Sequence, residues 1–127
     1  INSTKTQKTN KMNLDNAAIA QAQRRAKFRA AIANAETMDS AAIGRDDCCE
    51  LGKWIHGEAK IQLVTKPEFT ALLEKHRAFH VEAGRVAKAI NARQFEDALE
   101  MTGAFTAFGS ASATVGLALK ALKDAMP

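Results

Sequence analysis

Residues 65–91 read TKPEFTALLEKHRAFHVEAGRVAKAIN, and this stretch decides the fold. Phe69, Leu72, Leu73, His76, Phe79, His80, Ala83, Ala87 and Ile90 recur at the three- and four-residue spacing of one helix face. Thr65 and Glu68 have the spacing of a capping box, and Pro67 sits where a missing N–H does no harm. The pattern predicts a helix running to about Asn91. Its buried face carries two imidazoles one turn apart, with Cβ atoms about 5–6 Å from each other. That is the reach two imidazoles need to hold one metal ion. Burying them without partners carries a desolvation cost of a few kcal/mol.

Working outward, the stripe Leu14, Ala18, Gln21, Arg25, Phe28, Ile32 predicts a first helix starting near Asn13 or Asp15. Gln21 and the Arg24-Arg25 pair interrupt its apolar face. Either a partner or a polar site lies there, or the stripe rotates onto Ala17, Ala20 and Ala31. Residues 37–47 read as turns. A short helix is expected from Cys48 to about Gly57, capped by Asp46 or Asp47. Cys48 and Cys49 then lie in its first turn, where free N–H groups favour a thiolate. Adjacent cysteines pair only through a strained ring, so they are expected free. Gly52 allows another backbone close, and Trp54 is expected to anchor the core. His56 reads as a surface histidine near a helix end.

A last helix is expected over about residues 94–124, with Phe95, Leu99, Phe105, Phe108, Val115, Leu119 and Leu122 inward. Gly103, Gly109, Gly116 and the run at 110–113 form a small-residue face suited to close helix packing or a dimer contact. No strand pattern competes. The class is all-α, an antiparallel four-helix-bundle type with an additional short helix carrying the cysteine motif.

The chain has 127 residues, fitting one domain, and a net charge of +4. Its lysines and arginines are spread along every segment, which argues for solubility and against a nucleic-acid groove. No apolar run approaches the roughly 18 residues of a membrane span, and no secretory leader pattern is visible. Residues 1–12 are expected to be a linker or the end of an upstream helix, and residues 13–127 the domain. A chain opening on Ile rather than Met is expected to be a piece of a longer protein.

Cys49-x-Leu51-Gly52-x-Trp54, followed by His76-x-x-x-His80 and Gly84, with the opening Leu14-Asp15-Asn16, resembles the chemoreceptor zinc-binding domain of bacteria. The resemblance runs over nearly the whole chain from Asn13. It implies a helical bundle attached to a cytoplasmic chemoreceptor or diguanylate cyclase. It also implies a homodimer, one zinc per chain, and a response to zinc or thiol oxidation. The family holds zinc with three His and one Cys, which carries over to Cys49, His76 and His80. The fourth ligand is a His on the first helix, with Trp three residues later. Here Gln21 and Arg24 stand at those positions. A neutral amide oxygen is a poor zinc ligand, which leaves three ligands and a water. The alternative is a metal-free dimerisation module. Catalysis is not expected: Cys49 with a His has no accompanying carboxylate motif or oxyanion feature.

Overall fold

The computed structural model describes residues 12–126. The stretch expected to be a linker lies outside the described residues except for Met12, which packs against the core. Seven helices occur among the described residues, with no strand. They are α1 (Leu14–Ala33), α2 (Ser40–Ile43), α3 (Glu50–His56), α4 (Glu58–Leu63), α5 (Pro67–Asn91), α6 (Phe95–Met101) and α7 (Ala107–Ala125). The all-α bundle expected is the one that forms.

Three long rods set the frame. Lys123 near the end of α7 pairs with Asp15 at the start of α1 at 2.8 Å. Lys66, just before α5, donates to the carbonyl of Ala125 at 3.2 Å. At the other end, Arg93 after α5 donates to the carbonyl of Ala35 after α1 at 2.8 Å. So α1 and α5 run in the same direction, and α7 runs antiparallel to both. The short helices α2, α3 and α4 carry the chain back between α1 and α5, in place of a fourth unbroken rod.

The ends of α1 and α5 share one device. Ala35 and Arg93 take left-handed φ angles of 52° and 63°. The following N–H groups, of Glu36 and Gln94, reach back to the carbonyls of Ala31 and Ala89. This closure normally uses glycine at the left-handed position. Asn91 adds a two-way clamp on Met38, donating to its carbonyl and accepting from its N–H, both at 2.8 Å.

The core centres on Phe28, Phe79 and Phe108, with ring centroids 5.4 Å apart for Phe28–Phe108 and 5.6 Å for Phe79–Phe108. Ile55, Leu72, Ile90, Leu119 and Leu122 are buried around them. In α1 the buried positions are Leu14, Ala17, Gln21, Phe28 and Ala31. The expected stripe thus keeps Leu14, Gln21 and Phe28 and gains Ala17 and Ala31, while Ala20 stays exposed, so both alternatives hold in part. Arg25 is explained by a neighbour: its Nε donates to the carbonyl of Thr102 at 2.7 Å.

Several boundaries differ from expectation. Asp39 caps a short helix, α2, inside the stretch read as turns, accepting from the N–H of Ala42. Glu58–Leu63 forms a further short helix. The N-cap of α5 is Lys66, with no side-chain cap bond, so Thr65 and Glu68 make no capping box. The expected last helix is broken into α6 and α7 over residues 102–106. Arg25 takes the Thr102 carbonyl, Arg29 donates to the Thr102 hydroxyl at 3.2 Å, and Thr106 caps a new start by accepting from the N–H of Gly109. Phe105 is consequently fully exposed and Leu99 half-exposed, while Ala98 and Thr102 are buried in their stead.

Candidate metal centre

Three elements bring the donors together. On α5, His76 and His80 face inward, their Nε2 atoms 3.0 Å apart. Cys49 is the N-cap of α3, and its Sγ accepts from the N–H of Gly52 at 3.3 Å. Cys49 Sγ lies 3.3 Å from His76 Nε2 and 3.5 Å from His80 Nε2. From α1, Gln21 brings its Nε2 to 4.0 Å from that sulfur.

Cys49 is thus the cap itself, not a residue of the first turn behind an Asp cap. Asp46 instead pairs with the exposed His56 at 3.2 Å, and its carbonyl lies where a Cβ on Gly52 would fall. Gly52 is required for that approach, as expected. Trp54 is half-buried against the core. Cys48 is exposed and both cysteines are free. Gly84 plays a second close-packing role: a Cβ there would meet the Cα of Gly44 at 3.0 Å, so α2 lies directly on α5.

That contact positions a residue the sequence did not single out. The carbonyl of Ile43, at the end of α2, lies 2.8 Å from His80 Nδ1. A carbonyl only accepts, so Nδ1 carries the proton and Nε2 presents its lone pair to the site. A backbone carbonyl leaves no side-chain signal in a sequence.

Burial governs the electrostatics. It pushes the Cys49 thiol above its usual range, against the N–H of Gly52. The cap position alone therefore does not give the thiolate expected. Burial, then the neighbouring His80, pushes His76 down to about 4. Burial also lowers His80, although its bond to Ile43 works the other way. Both imidazoles are held neutral, the form that binds metal. Arg24 does lie beside the site. It sits over the Phe28 ring at 5.5 Å and, with Gln21, Lys27, Cys49 and His80, lines a cavity of about 340 Å³. Burial lowers its pKa.

The donor set fits zinc. Tetrahedral zinc with ordinary bond lengths separates a thiolate sulfur from an imidazole nitrogen by about 3.6 Å, and two such nitrogens by about 3.3 Å. The observed spacings of 3.3, 3.5 and 3.0 Å are within a few tenths of an ångström of these. The three donor atoms all lie within 4.8 Å of one another. Two further buried atoms, Gln21 Oε1 and His76 Nδ1, have no hydrogen-bond partner among the described residues.

Fold and site together define a helical bundle with a candidate metal centre. A family model, the chemoreceptor zinc-binding domain, matches residues 23–87. The chain belongs to the chemoreceptor zinc-binding domain family, whose cofactor is zinc. The matched segment contains Cys49, His76 and His80 and starts after Gln21. No curated protein and no solved structure matches the chain.

Proposed function

We propose that this domain is the zinc-responsive sensor of a bacterial signalling protein, a cytoplasmic chemoreceptor or a diguanylate cyclase. Cys49, His76 and His80 hold the ion, one per chain. The convergence of the half-buried Cys49 sulfur with two buried, neutral imidazole nitrogens carries this reading. Zinc bound there supplies a cross-link between the α3 cap and α5. The protein's own part is to pre-orient the donors: Ile43 fixes the His80 tautomer, Gly52 steadies the sulfur, and burial keeps both rings neutral. Two-electron oxidation of the Cys49 thiolate to the sulfenic acid by an external oxidant such as hypochlorous acid, which leaves as chloride, would weaken its hold on zinc and loosen α3 from α5, which gives a route for a redox signal.

Residues 13–127 act as the sensing unit, and residues 1–12 join it to the signalling part. No helix among the described residues is long and apolar enough to cross a membrane. The exposed Leu117 and the open Gly116 on α7 suit a homodimer contact. The domain works by binding, not by catalysis. Elemental analysis of protein never exposed to chelator should show up to one zinc per chain, and added zinc should raise the melting temperature. Finding neither metal nor a zinc-dependent shift would sink the reading and favour the metal-free dimerisation module.

A further inference from the structure

Gln21 is the least explained polar residue in the core. It is 7% exposed, yet its Oε1 is buried with no partner among the described residues. Its Nε2 reaches the Cys49 sulfur only at 4.0 Å, the outer limit of an N–H···S contact. A buried carbonyl oxygen with nothing to accept from is a group waiting for a ligand or a rearrangement. The terminal torsion of a glutamine is broad and roughly two-fold, so a half-turn of the amide exchanges oxygen and nitrogen without moving α1. The half-turn puts a carbonyl oxygen beside the same sulfur that His76 and His80 face.

We propose that the Gln21 carboxamide is a rotating fourth arm of the site. In the metal-free protein its N–H₂ faces the Cys49 thiol. When the three donors take up a divalent cation, the amide turns and its Oε1 becomes the fourth ligand. The step rests on Cys49, His76 and His80 being the ligands. It balances simply: the thiol proton leaves to solvent, and no bond of the amide is made or broken.

The consequence is a site of one thiolate, two neutral imidazoles and one neutral oxygen. A carboxamide does not ionise to hydroxide, so this fourth position closes the route to a hydrolytic nucleophile that a bound water leaves open. A neutral oxygen donor also holds zinc less tightly than an imidazole, so the ion exchanges more readily, as a sensor of changing zinc requires. The competing occupant is solvent or a small anion entering through the cavity that Arg24 and Lys27 line.

The test uses the full chain loaded with Co²⁺ as a spectroscopic probe, with zinc affinity read by chelator competition. The variants are Gln21→Leu and Gln21→His, with Gln21→Ala in reserve if the leucine fails to give native helical circular dichroism. Azide is then added to each cobalt form. Wild-type cobalt absorption should not change with azide, because Gln21 fills the position. Gln21→Leu should bind zinc at least about tenfold more weakly and show an azide-dependent spectrum. Gln21→His should bind more tightly than wild type and ignore azide.

An azide response in the wild type equal to that of Gln21→Leu, or equal zinc affinity in the two, overturns the proposal. Metal binding by Gln21→His alone overturns it and the three-ligand reading with it, because the wild type then holds no ion. Failure of every form to bind metal removes both.

Discussion

His80 donates from Nδ1 to the carbonyl of Ile43 at 2.8 Å, and this bond turns its Nε2 toward the Cys49 sulfur 3.5 Å away. One backbone oxygen on a four-residue helix thus fixes which nitrogen of a metal-site histidine is free to bind. Outer contacts of this kind normally matter for metal affinity by about 10–100-fold. The contact depends on Gly84, whose missing Cβ lets α2 and α5 touch at Gly44.

That gives a first prediction. Gly84→Ala places a Cβ 3.0 Å from the Gly44 Cα, a backbone atom that cannot swing aside. We expect a stability loss of about 1–3 kcal/mol from overpacking. Zinc affinity should fall as well, because Ile43 moves with α2. Gly116→Ala is the control, since nothing lies within 4 Å of its Cβ position. In mid-helix it should stabilise by about 0.5–1 kcal/mol and leave zinc binding alone. Urea melts and zinc titrations of both variants check this.

The adjacent cysteines should separate cleanly. Cys49→Ser should lower zinc affinity by at least about 100-fold, since a ligand is worth no less than its outer contacts. Cys48→Ser should leave zinc content unchanged, because Cys48 is exposed and its nearest polar contact is Asp47. Alkylation followed by mass spectrometry should modify Cys48 first, and zinc should slow modification of Cys49 alone. Zinc loss in Cys48→Ser would contradict the assignment.

Acid should weaken the metal-free protein over a defined window. Burial, then His80, lowers His76 from 6.5 to about 4 in the folded state. The unfolded chain therefore takes up a proton that the folded chain refuses. Stability is at its full value above pH 6.5 and is lost as pH falls from 6.5 toward 4. The whole effect is about 3 kcal/mol. His80 is shifted in the same direction. Thermal melts of chelator-treated protein at pH 7.5, 6 and 5 should show the decline, and His76→Gln should flatten it.

Zinc uptake should release about one proton per ion at pH 7, and that proton comes from Cys49. Burial holds the thiol protonated in the metal-free site, whereas His76 has no proton to lose. Calorimetry of zinc binding in buffers of different ionisation enthalpy measures the number directly. A value near zero would mean that Cys49 is already a thiolate or is not a ligand.

Residue spacing alone revealed α5, because nine inward positions at helical period leave no other reading. It also exposed the His76–His80 pair, since i and i+4 is a local relation that helix geometry enforces. Cys49 joined them through a resemblance, because its partners are 27 and 31 residues away and no local rule links them. The last helix misled. Its period continues through residues 102–106, where Arg25 and Arg29, reaching across from α1 to Thr102, and the Thr106 cap break it.

Gln21 divides the two kinds of information. Its sequence showed a polar residue on an apolar face, where the resemblance led one to expect a histidine. The structure decided that the residue points into the site, with a buried oxygen still unpartnered. The periods of α1 and α5, the Asn13 cap and the imidazole pair were readable because they depend on neighbours within a turn of chain. The metal pocket was not, because it needs α1, the α3 cap, the Ile43 carbonyl and α5 in one place. Only packing across the core puts them there.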